Sequence, residues 1–271
     1  MPRASKAAKS AKSKPSKFTP VPPQAPGRAS RPRALATYRA KRDFSSTPEP
    51  AGTVKGKTSA GGYFCIQKHL ASHLHYDFRL EHRGVLLSWA VPKGPSPDPK
   101  VKRLAMQVED HPVDYGDFEG VIPAGYGAGI VVLWDRGAWA PLVDDVDAAL
   151  AKGHLPFVVR GDKLKGRWDL IRTGIAGQCG WLLAKQRDAW SGGGDPTVEQ
   201  PESVKSGRDF AEILAHERRD PWPDQPPVRG GETGKLMRDI MLRASALRSR
   251  ATRSPAANRA RGVRAAPATD R

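Results

Sequence analysis

Residues 63–80 read YFCIQKHLASHLHYDFRL, and the alternation inside this stretch decides both the fold class and the chemistry. Successive side chains of an extended strand leave opposite faces. In His75-Tyr76-Asp77-Phe78-Arg79-Leu80 one face therefore collects His75, Asp77 and Arg79, and the other Tyr76, Phe78 and Leu80. In Tyr63–His69 the same rule places Gln67 with His69, opposite Phe64 and Ile66. One face of each strand is core and the other is a polar cluster, so a neighbouring strand can add a second imidazole to the first. Two neutral imidazoles and a carboxylate make an N,N,O donor set for a divalent transition metal, and an adjacent guanidinium suits bidentate phosphate binding. A His and an Asp on one strand face are more often plain surface or a simple hydrogen bond. That blander reading must also account for Arg79 on the same face, His69 on the next strand, His111 and the polar run 109–119. Lys93, in a Pro/Gly loop, and Tyr115, four residues after His111, are weaker signals.

Working outward, the apolar residues from Tyr38 to Trp190 come in short runs: YFCIQKH, HYDFRL, VLLSWAV, RLAMQVE, GIVVLW, PFVVR, RWDLIR and WLLAK. Period two or β-rich composition marks them as strands. Turn residues punctuate them, with GG at 61, PKGPSPDP at 92, HPVDYGDFEG at 111 and AGYGAG at 124. DDVDAALAKG, ending at Gly153, is the one helical pattern in this region, with the glycine as its C-cap. The expected fold is mostly β: a small closed or partly open β-barrel of about eight strands with short helices, flanked by disordered basic tails. Closure would remove exposed sheet edges.

The 271 residues carry a net charge of +17, and that charge is segregated. Residues 1–37 hold nine Lys/Arg and no acid, residues 235–271 hold ten Lys/Arg against two acids, and residues 38–234 are balanced at 26 of each sign. The expected organisation is a disordered basic tail (1–37), a folded domain (38–190), a linker with a short helix at 210–218 (191–234), and a basic helix and tail (235–271). In the last segment Leu236, Met237, Ile240 and Met241 form an apolar stripe. The stripe fits docking on the core or folding on a partner equally well. Basic arms around a neutral core release counterions from a phosphate backbone, so nucleic acid is the expected partner. No run reaches the ~18 apolar residues of a membrane span, and the amino-terminus has no apolar secretory stretch. A cytoplasmic, nucleoid-associated protein with no membrane partner is expected. Cys65 and Cys179 lack CxxC spacing and read as buried small hydrophobes.

A metal with open coordination positions polarises a phosphoryl oxygen or acidifies a bound water, and Arg and His neutralise charge on non-bridging oxygens. Phosphoester cleavage, resting on positioning and charge stabilisation rather than a protein nucleophile, is the reaction class this pattern predicts. No GxxxxGK[ST] motif occurs, which argues against nucleoside triphosphate hydrolysis.

With those residues in hand, QKHLASHLHYDFRLEHRGVLLSWAVPKGPSPDPKVKRLAMQVEDHPVDYGDFEGVIPAGYGAG, starting at Gln67, resembles the 3′-phosphoesterase domain of bacterial ligase D and its stand-alone relatives. QKHxxxxLHYDFRLE, SWAVPKGPS, EDHPxDYxxFEG and WDRGxW appear in order, and the similarity covers about residues 38–190. The resemblance implies a small β-barrel with an open concave face and a manganese-type ion held by His69, His75 and Asp77, a donor set that zinc or cobalt also fits. It implies phosphate contacts from Arg79 and His111, support from Tyr115, Lys93 and Gln67, and amino-terminal residues needed for activity at Arg42, Asp43 and Glu49. The implied activity is healing of DNA 3′ ends: a terminal ribonucleoside is removed, then the remaining 3′-phosphate, leaving a 3′-hydroxyl for double-strand break repair. With no KxDG adenylation motif, the chain is expected to be the phosphoesterase module alone, working in trans with a ligase and the end-binding protein Ku. The alternative is a non-catalytic DNA-end-binding accessory. One departure stands out: the family's IPEGxYG is here Ile122-Pro123-Ala124-Gly125-Tyr126-Gly127, a residue shorter and without the glutamate. His73 and His82 take no role from the resemblance.

Overall fold

A computed structural model describes residues 35–52, 62–175, 179–217, 221–222 and 226–253. The strands are β1 (Gly62–Leu70), β2 (Leu74–His82), β3 (Val85–Val91), β4 (Lys102–Gln107), β5 (His111–Pro112), β6 (Gly120–Ile122), β7 (Gly129–Pro141), β8 (His154–Gly161), β9 (Lys165–Arg172) and β10 (Gly180–Lys185). The helices are α1 (Ala36–Ala40), α2 (Val146–Lys152), α3 (Pro196–Glu199), α4 (Phe210–His216) and α5 (Gly231–Arg253), with a 3-10 turn at Val113–Asp117. Neighbours run β1-β2-β3-β4-β10-β9-β8-β7, and β7 pairs back onto β1, so eight antiparallel strands close into a barrel. The short strands β6 and β5 attach outside this ring, to β7 and β3.

The β2–β3 hairpin shows how local sequence sets register. Arg83 (φ 50°) and Gly84 (φ 81°) are both left-handed, as a two-residue type I′ turn requires, and this pairs His82 with Val85. From there Arg79 falls opposite Ser88 and Asp77 opposite Ala90. On the other side, β1 pairs with β2 so that His69 meets His75, Gln67 meets Asp77 and Cys65 meets Arg79.

All eight ring strands feed one apolar core, including Phe64, Phe78, Trp89, Ala105, Trp134, Phe157, Trp168 and Trp181. This core fills the lumen, which is side-chain packing rather than a channel. Because Phe64, Ile66, Phe78 and Leu80 point inward, His69, Asp77 and Arg79 must lie on the outer face of the sheet. That face is covered by the amino-terminal segment and the 3-10 turn, where Leu35, Tyr38 and Tyr115 pack with Cys65 and Leu86. Asp145 caps α2 by accepting from the Ala148 N–H, and Gly153 (φ 83°) ends it, as the sequence pattern predicts.

Packing continues past residue 190, where the sequence suggested the folded domain would end. Phe210, Ile213 and Leu214 of α4, Trp222, and Met237, Ile240 and Ala244 of α5 form a second core with Leu70, Val121, Ile130 and Val132 of the barrel. The apolar stripe of α5 thus docks on its own protein. Asp209 starts α4 with a full capping box against Glu212. The amino-terminal packing begins at Leu35, which is fully buried. Residues 1–34 and 254–271 of the expected tails lie outside the described residues. Both cysteines are buried and neither forms a disulfide, and burial pushes the Cys65 thiol up to about 12. Among the described residues no helix is long and apolar enough to cross a membrane.

Candidate metal and phosphate centre

The antiparallel register of β1 and β2 brings His69, His75 and Asp77 together, with ligating atoms all within 4.8 Å of one another. His69 Nδ1 lies 3.7 Å from Asp77 Oδ2, and His75 Nε2 lies 3.7 Å from Asp77 Oδ1. The remaining nitrogen of each ring is committed to a backbone carbonyl. His69 Nε2 sits 2.9 Å from the Gly127 oxygen and His75 Nδ1 3.0 Å from the His73 oxygen. A carbonyl only accepts, so these nitrogens carry protons, and the other nitrogen of each ring is the one turned toward Asp77. Such outer bonds fix ring orientation and tautomer in metal-binding histidines. The residues present therefore fit a divalent ion: two imidazole nitrogens and one carboxylate converge. Burial pushes the Asp77 carboxyl up, but the Arg79 guanidinium and the two imidazoles outweigh it and hold it well below the usual carboxylate range. Burial lowers His75, with Asp77 opposing, so the ring stays neutral and ligand-competent at pH 7.

Arg79, 2% exposed, anchors the floor. Its Nε donates to Gln67 Oε1 (2.8 Å), one Nη to Ser88 Oγ (2.8 Å) and the other to Asp77 Oδ2 (3.0 Å). Gln67 is fully buried, and its amide donates to the Tyr115 and Phe118 carbonyls at 2.9 Å each. It braces the arginine and the 3-10 turn from below and does not line the cleft. His111 reaches in from β5. Its Nδ1–H donates to the Glu109 carbonyl at 2.9 Å, leaving Nε2 as the acceptor 3.3 Å from Arg42 Nη2. Burial first, then Arg79 and Arg42, lower His111 well below the ordinary imidazole value, so it is neutral. Arg42 is held by Glu49 (2.9 Å) and Glu109 (3.4 Å) and stacks 4.0 Å over the Tyr38 ring. Tyr38 in turn meets His111 edge-on at 5.0 Å and Tyr115 at 6.0 Å.

These groups open into a cleft of about 400 Å³ lined by Arg42, Glu49, His69, His75, Asp77, Arg79, His111 and Tyr115, together with Glu109 and Tyr126. Asp43 and Lys93, assigned to the site by resemblance, are exposed and do not line this cleft. Asp43 instead shapes its own turn, accepting from the Ser45 N–H (3.0 Å) and hydroxyl (2.6 Å). Lys93 sits in the turn after β3. Sequence reasoning missed Ser88, Glu109, Lys41 and Tyr126. Ser88 had a signal, as the one polar residue of VLLSWAV. Lys41 binds Glu109 at 2.9 Å and lies 4.4 Å over Tyr126, a contact across 85 residues that no local pattern announces. Of the unassigned histidines, His82 pairs with Asp147 at 3.0 Å, outside the cleft, while His73 contributes its carbonyl to His75.

Two imidazoles, one carboxylate and two guanidiniums on the outer face of an eight-stranded barrel are groups of the kind that bind and cleave phosphoester bonds. Comparison with known proteins agrees. Residues 67–172 match the DNA Ligase D 3'-phosphoesterase domain. The chain is 53% identical over 208 residues to the multifunctional non-homologous end joining protein LigD of Pseudomonas aeruginosa, covering 74% of this chain and 24% of the relative. It is 45% identical over 157 residues to LigD of Mycobacterium bovis, covering 57% and 20%. The LigD of Mycolicibacterium smegmatis is 42% identical over 172 residues, covering 60% and 22%. The barrel of this chain therefore belongs to the DNA ligase D 3′-phosphoesterase family, and the chain spans about a quarter of the length of the curated relatives it matches.

Proposed function

We propose that this protein is a metal-dependent DNA 3′-end-healing phosphoesterase of double-strand break repair, a 3′-phosphodiesterase and 3′-phosphomonoesterase. On this reading it removes a 3′-terminal ribonucleoside, then the resulting 3′-phosphate, and leaves a 3′-hydroxyl. The observation that carries the reading is the convergence of His69, His75 and Asp77 within 4.8 Å beside the buried Arg79. Lys41, Arg42 and Arg79 face Glu49, Asp77 and Glu109, three cations against three carboxylates, so the centre is balanced by itself. A divalent ion on the donor set would leave it at about +2, complementary to a phosphate.

Manganese is the proposed ion, with zinc or cobalt as substitutes of the same donor set; when bound it polarises a phosphoryl oxygen and lowers the pKa of a coordinated water. The chain supplies the rest. Arg79, fixed on three sides, and Arg42, clamped by two glutamates, hold the non-bridging oxygens of the scissile phosphate and neutralise the charge that grows on them. His111, fixed by the Glu109 carbonyl at Nδ1 and facing Arg42 at Nε2, lines the same side of the cleft and holds the Arg42 guanidinium toward the phosphate. Tyr115 walls this side, backed by the buried Tyr38, and excludes solvent, which strengthens each charge–charge contact. The proposed substrates are DNA 3′ ends, engaged with help from the basic segments, and the proposed partners are ligase D and Ku, on the strength of the end-joining relatives. Nucleoid association follows from DNA ends as substrate.

The test is a primer–template bearing one 3′-ribonucleotide, incubated with the protein and Mn²⁺. Stepwise trimming to a 3′-hydroxyl that vanishes in His75→Ala supports the reading. An unchanged primer with retained DNA binding would instead establish the accessory role.

A further inference from the structure

The loop that orients His69 is itself held from behind by a segment of the chain with no place in the phosphoesterase motifs. Gly127, whose carbonyl accepts from His69 Nε2, belongs to the Ile122–Gly127 stretch that leads from β6 into β7. Gly125 (φ 83°) and Gly127 (φ 78°) are both left-handed, which lets the loop turn its last carbonyl inward toward the imidazole. At the loop's other end, Trp222 Nε1 donates to the Pro123 carbonyl at 2.6 Å. Trp222 is 5% exposed and packed in the second core with Val121, Ile130, Phe210 and Leu214. Five residues on, Pro227 forms part of the cleft wall. On the amino-terminal side Lys41 and Arg42 lie 4.4 and 5.7 Å from the Tyr126 ring. The loop is thus gripped between the amino-terminal segment and the Trp222 segment, and its one inward carbonyl sets a metal-facing imidazole.

We infer that Trp222 is a positioning residue for the metal centre: through Pro123 it fixes the 123–128 loop, so that the Gly127 carbonyl holds His69 with its Nδ1 lone pair toward Asp77 and His75. The carboxy-terminal unit of α4, Trp222 and α5 is then a working part of the site rather than an appendage. The physical reason is short. A nine-residue strand fixes the His69 Cα, but not the ring, and the hydrogen bond that orients the ring comes from a carbonyl on a glycine-rich loop. Such a loop costs little to displace unless something bonds its far end. A bond outside the first ring of ligands typically carries 10–100-fold of metal affinity.

This inference rests on the proposed metal-binding role of His69, and its test separates the two. Trp222→Phe keeps an aromatic ring in the second core and removes the N–H donor. In the full chain two quantities are read: hydrogen exchange of amides 124–128 without metal, and the dissociation constant for Mn²⁺ by titration. Expected are faster exchange at 124–128, with the amides of β2 and β3 unchanged, and a Mn²⁺ dissociation constant raised about tenfold. Asn at 222, which offers a shorter donor, is expected to recover neither, because it cannot span the core to Pro123. Unchanged exchange in the loop overturns the inference, as does faster exchange with an unaltered dissociation constant. A wild-type chain that binds no Mn²⁺ would refute the metal-dependent function, and the exchange measurement alone would then decide whether Trp222 holds the loop.

Discussion

Gln67→Leu asks whether Gln67 is a brace or a ligand. Gln67 is fully buried and makes three hydrogen bonds: Arg79 Nε donates to its Oε1, and its amide donates to the Tyr115 and Phe118 carbonyls. Leucine keeps the volume and deletes all three, leaving one charged donor and two carbonyls without that partner. A neutral buried group left unsatisfied costs about 1–3 kcal/mol, and a charged one more. Against this stands about 1–2 kcal/mol from burying the extra apolar surface. The net loss is about 3 kcal/mol, which for a domain of this size lowers Tm by roughly 6–12 °C. Arg79 keeps Asp77 and Ser88 but is free to swing at Nε, so kcat/KM falls as well. Thermal unfolding followed by circular dichroism, alongside primer trimming, reads both effects. Lost activity at an unchanged Tm would refute the brace and restore Gln67 to the ligand shell.

Glu49→Gln leaves the buried Arg42 guanidinium without its closest carboxylate, and breaking a buried pair from one side is expected to cost about 3 kcal/mol in urea unfolding, with kcat/KM reduced in step. Asp110 is pushed up to about 7, by burial first and by neighbouring Glu109 second. The folded state therefore binds more protons than the unfolded one between the usual carboxylate range and pH 7, and stability falls as pH rises through that window. Asp110→Asn removes this dependence: denaturation curves should coincide with wild type below about pH 4 and lie higher above pH 7 by on the order of 4 kcal/mol. Removing 1–34 and 254–271 strips thirteen Lys/Arg and one acid without touching Met237, Ile240 or Ala244. DNA affinity should become several-fold less salt-dependent while trimming of a short substrate persists. A cut at residue 235 would instead expose the second core and lower Tm.

Much of the ring was legible because each strand carries its own pattern: VLLSWAV coincides with Val85–Val91, and the alternation in 75–80 put His75, Asp77 and Arg79 on one face as found. Gly153 ends α2 because only the left-handed conformation satisfies the last carbonyls there. The misses share a cause. β5 and β6 are two and three residues long, too short for any period, and exist because β3 and β7 offer edges for them. Alternation also defines two faces without saying which is the lumen, and here the tryptophans claim the inside and the polar face is buried by the amino-terminal segment instead. Asp43 and Lys93 entered by resemblance, and motif position alone does not say where a side chain points. The docking of α5 depends on a groove made by Phe210, Ile213 and Val121, residues distant in sequence.

The central claim is that His69, His75 and Asp77 grip one ion in a shared cleft. Titrating the protein with Mn²⁺ while following the free ion by electron paramagnetic resonance tests it directly. One bound ion per wild-type chain, lost in a folded His75→Ala, is the predicted result; equal uptake by the two proteins would contradict it.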